Sequence, residues 1–240
     1  MLFVSACSGP GTRLSDAQAK RAAEVNADLG NGYLAQGNLE LSKIKFEKAL
    51  EQDPSLPKAH AGYALLMGRL GKAKEAEKHF KRALRADPYN SDTLNNYGTF
   101  LCSQSRIEEA ETQFIAAVRD PLYKTPEYAF TNAGRCAMKI PDLDRAEGYY
   151  GKALQSNPRF PDALYEMARL YDKKGNHRLA YAYIKKFDQY GTHTASSLWL
   201  AFQLSKRVGD RNSEASYSLL LKNKFPDSEE AGYLRAGVKR

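Results

Sequence analysis

Aromatic, small and polar positions recur along this chain in one fixed order. A large apolar residue, usually Phe or Tyr, is followed after two positions by Ala-Leu and then by proline, in 46–54, 80–88 and 150–158, and more loosely in 219–226. Pro54 and Pro88 are 34 residues apart. This period predicts units of two helices, each of about 14 residues, with small residues at the helix crossings. Such units bury their apolar faces only by stacking, so we expect a solenoid with a concave groove.

The repeated pattern divides the chain into an N-terminal segment, a repeat domain and a final helix. We expect residues 17–228 to form the repeat domain; between residues 23 and 228, Thr125 and Pro126 alone fall outside the repeat register. Residues 229–240 are predicted to form a C-terminal capping helix that begins after Asp227 or Ser228. The six predicted units are 23–56, 57–90, 91–124, 127–160, 161–194 and 195–228.

Glycines occur between the two predicted helices of four units. A left-handed turn is easiest for glycine, so we expect one at each of these positions. These glycines are Gly37, Gly71, Gly175 and Gly209. The sixth unit is the most divergent, because Glu214 occupies the place of its central alanine.

The order of small and aromatic residues in the first unit resembles the tetratricopeptide repeat. The matching residues there are Leu29, Gly30, Tyr33, Ser42, Phe46, Ala49 and Pro54. The resemblance implies an all-α fold, a right-handed superhelical solenoid of six repeats with the capping helix at its end.

Composition supports a helical protein that folds in water. The chain has only five valines and five isoleucines against 32 alanines and 27 leucines, which disfavours sheets. Hydrophobic residues make up 42% of the 240 residues and charged residues 27%, with a mean hydropathy of −0.59. The net charge of +8 favours acidic partners or anionic surfaces. Because basic runs never exceed two residues, we do not expect a nucleic-acid partner.

Candidate chemistry in the sequence is sparse. The four histidines show neither HxxxH nor HExxH spacing, and three cysteines do not make paired zinc ligands. No nucleophile elbow, phosphate loop or kinase signature is present, so we expect a non-enzyme without a metal or cofactor. Cys102 and Cys136 are expected to be ordinary half-buried thiols, with a disulfide between them as the alternative.

The N-terminal residues resemble a lipid-anchor signal. Residues 1–6 read as the remnant of a lipoprotein signal peptide, and 7–16 as a flexible tether rich in Gly, Pro and Ser. Val4-Ser5-Ala6-Cys7 resembles a bacterial lipobox, which implies lipidation of Cys7. The alternative is a cytosolic protein with an incidental cysteine.

In tetratricopeptide proteins, partners usually contact fixed places of each first helix. Carrying those places onto this chain gives an apolar groove in the first two units and an aromatic and basic groove in the last three. Ordinary solvated helix surface is the alternative interpretation of the second patch. The candidate partner-binding residues are Leu34, Leu65, Tyr128, Arg135, Tyr165, Arg169 and Trp199.

Six such repeats behind a lipobox cysteine resemble the PilF/PilW family, the pilotins of type IV pilus assembly. The resemblance implies a lipoprotein on the periplasmic face of the outer membrane. It also implies binding to the pilus secretin subunit, promotion of secretin localisation and multimerisation, and hence pilus (fimbrium) assembly and twitching motility. We expect a monomer. Another periplasmic repeat scaffold, acting in envelope or outer-membrane protein assembly, is the alternative.

Overall fold

The computed structural model of the chain describes residues 15–140 and 142–237. Within these ranges every regular element is an α-helix. The thirteen helices are α1 (Asp16–Ala35), α2 (Leu39–Gln52), α3 (Pro57–Arg69), α4 (Ala73–Ala86), α5 (Ser91–Ser103), α6 (Ile107–Ala117), α7 (Pro126–Ala137), α8 (Leu143–Ser156), α9 (Pro161–Lys173), α10 (His177–Tyr190), α11 (Ala195–Val208), α12 (Arg211–Lys224) and α13 (Glu229–Ala236).

The helices form two compact units, divided between Thr93 and Leu94. In the first unit, α1 pairs with α2 and α3 with α4, and α3 packs on both α1 and α2. The Phe46 ring fills the space between these helices. Cβ atoms added at Gly30 and Gly62 would come within 2.7 Å and 2.4 Å of this ring. Those glycines therefore allow the close helix crossings that the small residues predicted.

The second unit continues the same construction. Helices α7 and α8, α9 and α10, and α11 and α12 form hairpins, and α7 packs on α9. A Cβ at Gly98 in α5 would come within 2.7 Å of the Phe114 ring in α6, so these two helices also cross closely. The final helix, α13, packs on α11 and α12, and Ser228 caps it by accepting a hydrogen bond from the Ala231 amide at 3.1 Å.

The expected helix count is confirmed for the described residues, with one local difference at the start. Helix α1 is 20 residues long and begins before the first predicted unit. Ser15 and Gln18 form a capping box there, in which each side chain pairs with the other residue's backbone. The division into six units at the predicted boundaries stays a prediction.

The turns between paired helices are left-handed, as the glycine positions indicated. Gly37, Gly71, Gly175 and Gly209 all have φ between 73° and 81°. Three are followed by a residue whose side chain caps the next helix: Asn38, Asn176 and Asp210. Glycine thus allows the turn, and the polar residue satisfies an orphan helix amide.

Ser105 occupies the equivalent turn between α5 and α6. Its φ of 61° makes it the one described residue other than glycine with a positive φ. A side chain in this region is strained against its own backbone. We expect Ser105→Gly to raise the free energy of unfolding by about 0.5–1 kcal/mol, net of the greater freedom of glycine in the unfolded chain. Denaturant titration measures this.

The reciprocal change is the matched control for that prediction. Gly175→Ser places serine in an equivalent turn, at φ 76°, and should lower the free energy of unfolding by a similar amount. A lower stability of Ser105→Gly would contradict the strain argument.

Cys102 and Cys136 form a disulfide, which corrects the expectation of two free thiols. The bond joins α5 to the end of α7 across 34 residues, with the Cα atoms 5.7 Å apart. Both cysteines are buried. The cysteines are 34 residues apart, but Thr125 and Pro126 fall outside the repeat register between them, so they do not occupy equivalent places of their two units. The sequence placed them on successive first helices and did not by itself indicate that they touch.

Candidate protein-interaction surfaces

The first unit places its two predicted anchors differently. Leu34 lies in the core of α1 with 5% of its surface exposed, and its carbonyl accepts a hydrogen bond from Arg69 Nη1 at 2.8 Å. Leu65 in α3 is half-buried. In this unit, therefore, only Leu65 of the predicted pair offers side-chain surface to a partner.

Other apolar side chains of the first unit are more exposed than the predicted anchors. Val25 and Leu29 are one turn apart on α1, and Leu41 and Ile44 are neighbours on α2. Their exposed fractions are 59%, 42%, 37% and 49% respectively. Leu29 fills a signature place of the repeat, yet nothing in the described chain covers it fully. Val25 and Leu29, being one helical turn apart, can together offer an apolar contact to a partner.

The second unit contains a cleft between α7, α8 and α9, which we name the α7–α9 cleft. Its volume is about 750 Å³. It brings together two of the candidate residues, Arg135 and Arg169, with Lys139, Asp172 and Lys173 from the same groove-facing places and with Met138, Tyr150 and Glu166, which the groove argument did not include. Its lining residues are Arg135, Met138, Lys139, Tyr150, Glu166, Arg169, Asp172 and Lys173.

Glu166 organises the arginines of this cleft. Its side chain is buried, and Arg135 Nε and Arg169 Nη1 each donate to one carboxylate oxygen at 2.9 Å. Arg135 also reaches Asp162 at 2.9 Å. Burial alone would lower the pKa of Arg135, but the hydrogen bonds to Glu166 and Asp162 raise it overall. A buried carboxylate held between two guanidinium groups fixes their orientation.

Tyr150 forms the floor of the cleft. The residue is fully buried, and its hydroxyl oxygen has no hydrogen-bond partner. Burial first, and the nearby Glu166 charge second, raise the pKa of this hydroxyl, so it is protonated at neutral pH. Glu166 accepts from Arg135 through Oε1 and from Arg169 through Oε2 beside this hydroxyl.

The remaining aromatic candidates lie outside this cleft. Tyr128 is 48% exposed and packs edge-on against Phe160, with centroids 4.7 Å apart. Tyr165 lies beside Arg169, whose guanidinium carbon is 5.9 Å from the ring centre. Trp199 contacts Tyr233 of α13 at 5.9 Å between centroids. The C-terminal helix therefore covers part of the surface that Trp199 was predicted to offer.

Sequence reasoning missed Glu166 and Tyr150 as members of a site. The signal for Tyr150 was its place in the repeat, because Phe46, Phe80 and Phe114 fill the equivalent buried positions. A hydroxyl at a position otherwise occupied by phenylalanine is an unexplained polar atom. No comparable signal marked Glu166, whose burial depends on arginines from two different helices.

The described part of the chain shows neither a metal cluster nor a membrane-spanning helix. No group of three or more His, Cys, Asp or Glu side chains within 15–140 and 142–237 could hold a metal ion. In the same ranges no helix is both long enough and apolar enough to cross a bilayer. Cys7 and most of the predicted tether lie outside the described residues.

Comparisons with known proteins agree with the helical pairs and their close crossings. Tetratricopeptide-repeat families match residues 27–91, and residues 79–112 and 149–191. The chain is thus a tetratricopeptide-repeat protein, and the predicted fold class is confirmed.

Individual relatives narrow the assignment. The chain is 37% identical over 209 residues to the type IV pilus assembly protein PilF of Pseudomonas aeruginosa, covering 87% of this chain and 83% of PilF. A solved P. aeruginosa PilF structure matches with a TM-score of 0.78 and 36% identity, covering 92% of this chain and 99% of that one. PilW, described as a widely conserved type IV pilus biogenesis factor, matches at 0.78 and 30% identity, covering 90% and 98%. The chain belongs to the PilF/PilW family.

Proposed function

We propose that this protein is a pilotin of type IV pilus assembly. In this role it binds the secretin subunit, promotes secretin localisation and multimerisation in the outer membrane, and thereby supports pilus assembly and twitching motility. The 37% identity to PilF over most of both chains carries the proposal. We further propose that it acts as a monomeric, non-enzymatic binding scaffold.

The disulfide supports a location outside the cytosol. Such bonds persist in oxidising compartments such as the bacterial periplasm and are rare in reducing cytosol. A buried Cys102–Cys136 bond therefore favours the periplasmic proposal over a cytosolic scaffold. We propose that the protein lies on the periplasmic face of the outer membrane, with Cys7 as the lipidated residue.

Affinity capture from crosslinked cell envelopes tests the partner. Identification of the secretin subunit among the captured proteins is the expected result. Recovery of outer-membrane insertion or other envelope-assembly factors without a secretin would favour the alternative scaffold role. The same capture locates the binding surface. Leu65→Ala tests whether the first unit contacts the secretin, and Tyr128→Ala and Trp199→Ala test the second unit. Val25→Ala and Leu29→Ala test the exposed surface of α1.

Anchoring is tested separately by Cys7→Ser. Each acyl CH₂ group buried in a bilayer contributes about 0.8 kcal/mol, so loss of the lipid should release the folded protein into the periplasm. Secretin multimers should then fall in the outer membrane, and surface pili should be lost with them. Fractionation with secretin immunoblotting measures both effects, and Ser8→Ala is the matched control. Normal outer-membrane multimers in Cys7→Ser cells would rule out anchored delivery.

A further inference from the structure

The outer side of α1 is a stacking face that no helix within 15–140 and 142–237 covers. Val25 and Leu29 are exposed there. The residues 34 positions later in α3, Ala59 and Tyr63, are buried. Helix α3 is covered because it packs on α1 and α2, whereas the described packing partners of α1 are α2 and α3 alone. The first hairpin thus exposes the kind of surface that the next hairpin buries.

The last hairpin, in contrast, is covered by an additional helix. Helix α13 packs on α11 and α12, and its Ala231 is fully buried. Terminal units of a solenoid need a polar outer face or a cap to stay soluble, because their stacking surface has no neighbouring repeat. The first hairpin has an apolar outer face, so we looked for what lies against it.

Helix α2 adds apolar and basic side chains to the same end of the hairpin. Glu47 marks the side of α2 that faces α3, because the Tyr63 hydroxyl donates to it at 3.3 Å. With about 3.6 residues per turn, Lys45 lies on the opposite side of the helix, and Leu41 and Lys48 lie beside Lys45. We name this surface the α1–α2 end face, formed by Arg21, Val25, Leu29, Leu41, Lys45 and Lys48.

The charges left unpaired on the α1–α2 end face are positive. None of its three basic residues forms an ion pair within the part of the chain that the structure describes. Nearby on α1, Glu24 and Asp28 both pair with Lys58 of α3, Glu24 at 3.7 Å. Apolar side chains bordered by Lys and Arg are typical of helices at a bilayer interface, where the long basic side chains reach the headgroups.

The proposed lipid at Cys7 would keep this surface close to a bilayer. Asp16, the first residue of α1, follows Cys7 by nine residues. Nine extended residues span at most about 30 Å, and Val25 lies only about 14 Å further along the helix. A tethered surface has an effective concentration in the millimolar range, so even a weak contact with the lipid would be occupied.

We propose that the α1–α2 end face rests on the phospholipid surface that holds the anchor. Val25, Leu29 and Leu41 enter the headgroup boundary, and the three basic residues lie among the lipid phosphates. The tether itself cannot cover the face, because Leu14 is the one large apolar residue in 8–14. The inference rests on the proposed anchoring at Cys7 for its setting, and it adds a second contact that orients the first unit on the membrane.

Vesicle co-sedimentation of the purified full chain carrying Cys7→Ser tests the contact without the lipid anchor. The probe is a vesicle of phosphatidylethanolamine and phosphatidylglycerol at about 3:1, titrated into the millimolar range. The protein should bind these vesicles, and about fivefold or more weaker to phosphatidylcholine vesicles, because each Lys or Arg gains from an anionic surface. Absence of binding to the anionic vesicles would overturn the proposal.

Two variants of exposed residues locate the contact. Val25→Ser/Leu29→Ser removes two apolar side chains from the interface and should weaken binding about tenfold. Lys45→Gln/Lys48→Gln should weaken binding to anionic vesicles about tenfold and change binding to phosphatidylcholine little. Thermal unfolding verifies that both variants remain folded.

Two changes on α12 are the matched controls. Leu219→Ser alters a side chain as exposed as Val25, and Lys222→Gln removes an exposed charge from the second unit. Both should leave vesicle binding unchanged. Equal weakening by these controls, or unchanged binding in both end-face variants, would overturn the proposal.

Other occupants of the end face give different results. A dimer in sedimentation velocity that Val25→Ser/Leu29→Ser dissociates would identify a second copy as the occupant and overturn the proposal. Loss of secretin capture in that variant, with vesicle binding intact, would do the same in favour of a protein partner. Without the tether the lipid contact is weak, so release of Cys7→Ser protein in cells remains expected. Failed vesicle binding leaves the pilotin and anchoring proposals standing, and failed secretin capture by wild type leaves the lipid contact standing.

Discussion

Removing the Cys102–Cys136 bond should lower the free energy of unfolding by about 3–4 kcal/mol. The cross-link spans 34 residues, and closing a loop of that length restricts the unfolded chain by about this amount. The effect is large because a domain of this kind has a total stability of only about 5–15 kcal/mol. Denaturant titration of Cys102→Ala/Cys136→Ala, against oxidised wild type, measures it.

Single variants provide the control for this prediction. Cys102→Ala and Cys136→Ala each break the same cross-link, so each should cost about as much as the double variant rather than half as much. Reductant should weaken wild type and leave all three variants unchanged. A wild-type unfolding midpoint that is insensitive to full reduction would contradict the stabilising role.

Acid should destabilise the first unit through a buried histidine pair. His60 and His79 are buried, with their Nδ1 atoms 3.0 Å apart. His60 Nε2 lies 3.0 Å from the Pro54 carbonyl, which can only accept, so this nitrogen must carry a hydrogen. In the neutral pair, His60 Nδ1 is then bare and accepts from His79 Nδ1–H. Two protonated rings would place two N–H groups face to face.

The direction of the pH effect follows from the pKa values. Burial, then the charges of His60, Arg82 and Lys78, lowers the pKa of His79 to about 4. Burial likewise lowers that of His60, with Arg82 opposing protonation and Pro54 and Asp53 favouring it. In the unfolded chain these two histidines take up protons near pH 6.5. Above that pH both states are unprotonated at these positions, so the pair does not lower the free energy of unfolding there. The free energy of unfolding should fall by about 2–3 kcal/mol between pH 6.5 and 4. Below that range the histidine pair should cause no further change.

His79→Asn separates this effect from the titration of carboxylates. The asparagine amide can still donate to His60 Nδ1 but does not titrate, so stability should depend less on pH between 6.5 and 4. The variant loses packing against the Tyr63 ring, whose centroid is 4.7 Å from that of His79, and should be less stable at pH 7. His177→Asn leaves the buried pair intact and should follow wild type. The free energy of unfolding, from denaturant titration at each pH, measures the effect. If its dependence on pH between 6.5 and 4 were the same for wild type and His79→Asn, the assignment to this histidine pair would be refuted.

The repeat period made most of the fold predictable from sequence. Helical pairs, their crossings and the left-handed turns all depend on local residue type, as Gly30 beside Phe46 and the turn at Gly175 illustrate. Contacts between successive units were harder to predict, because they require residues of neighbouring units to be compared with each other. Cys102 with Cys136, Arg69 with Leu34, and Arg207 with Asp172 are contacts of this kind.

The candidate sites were only partly predictable for the same reason. Repeat places identified Arg135 and Arg169 as cleft residues, but they gave no measure of burial. Leu34 lies in the core, and Trp199 is partly covered by α13. Glu166 was missed because a buried charge becomes acceptable only when charged partners surround it, and one of them, Arg135, comes from a different helix.

The contact between Trp199 and Tyr233 also provides a local spectroscopic probe. The chain contains a single tryptophan, so its emission reports only on the surroundings of α11 and α13. Far-UV circular dichroism, in contrast, averages over all the helices. Separation of the two signals during denaturation would reveal fraying of the last hairpin before global unfolding, without any introduced label. The native sequence thus allows the cooperativity between terminal and internal repeats to be measured directly.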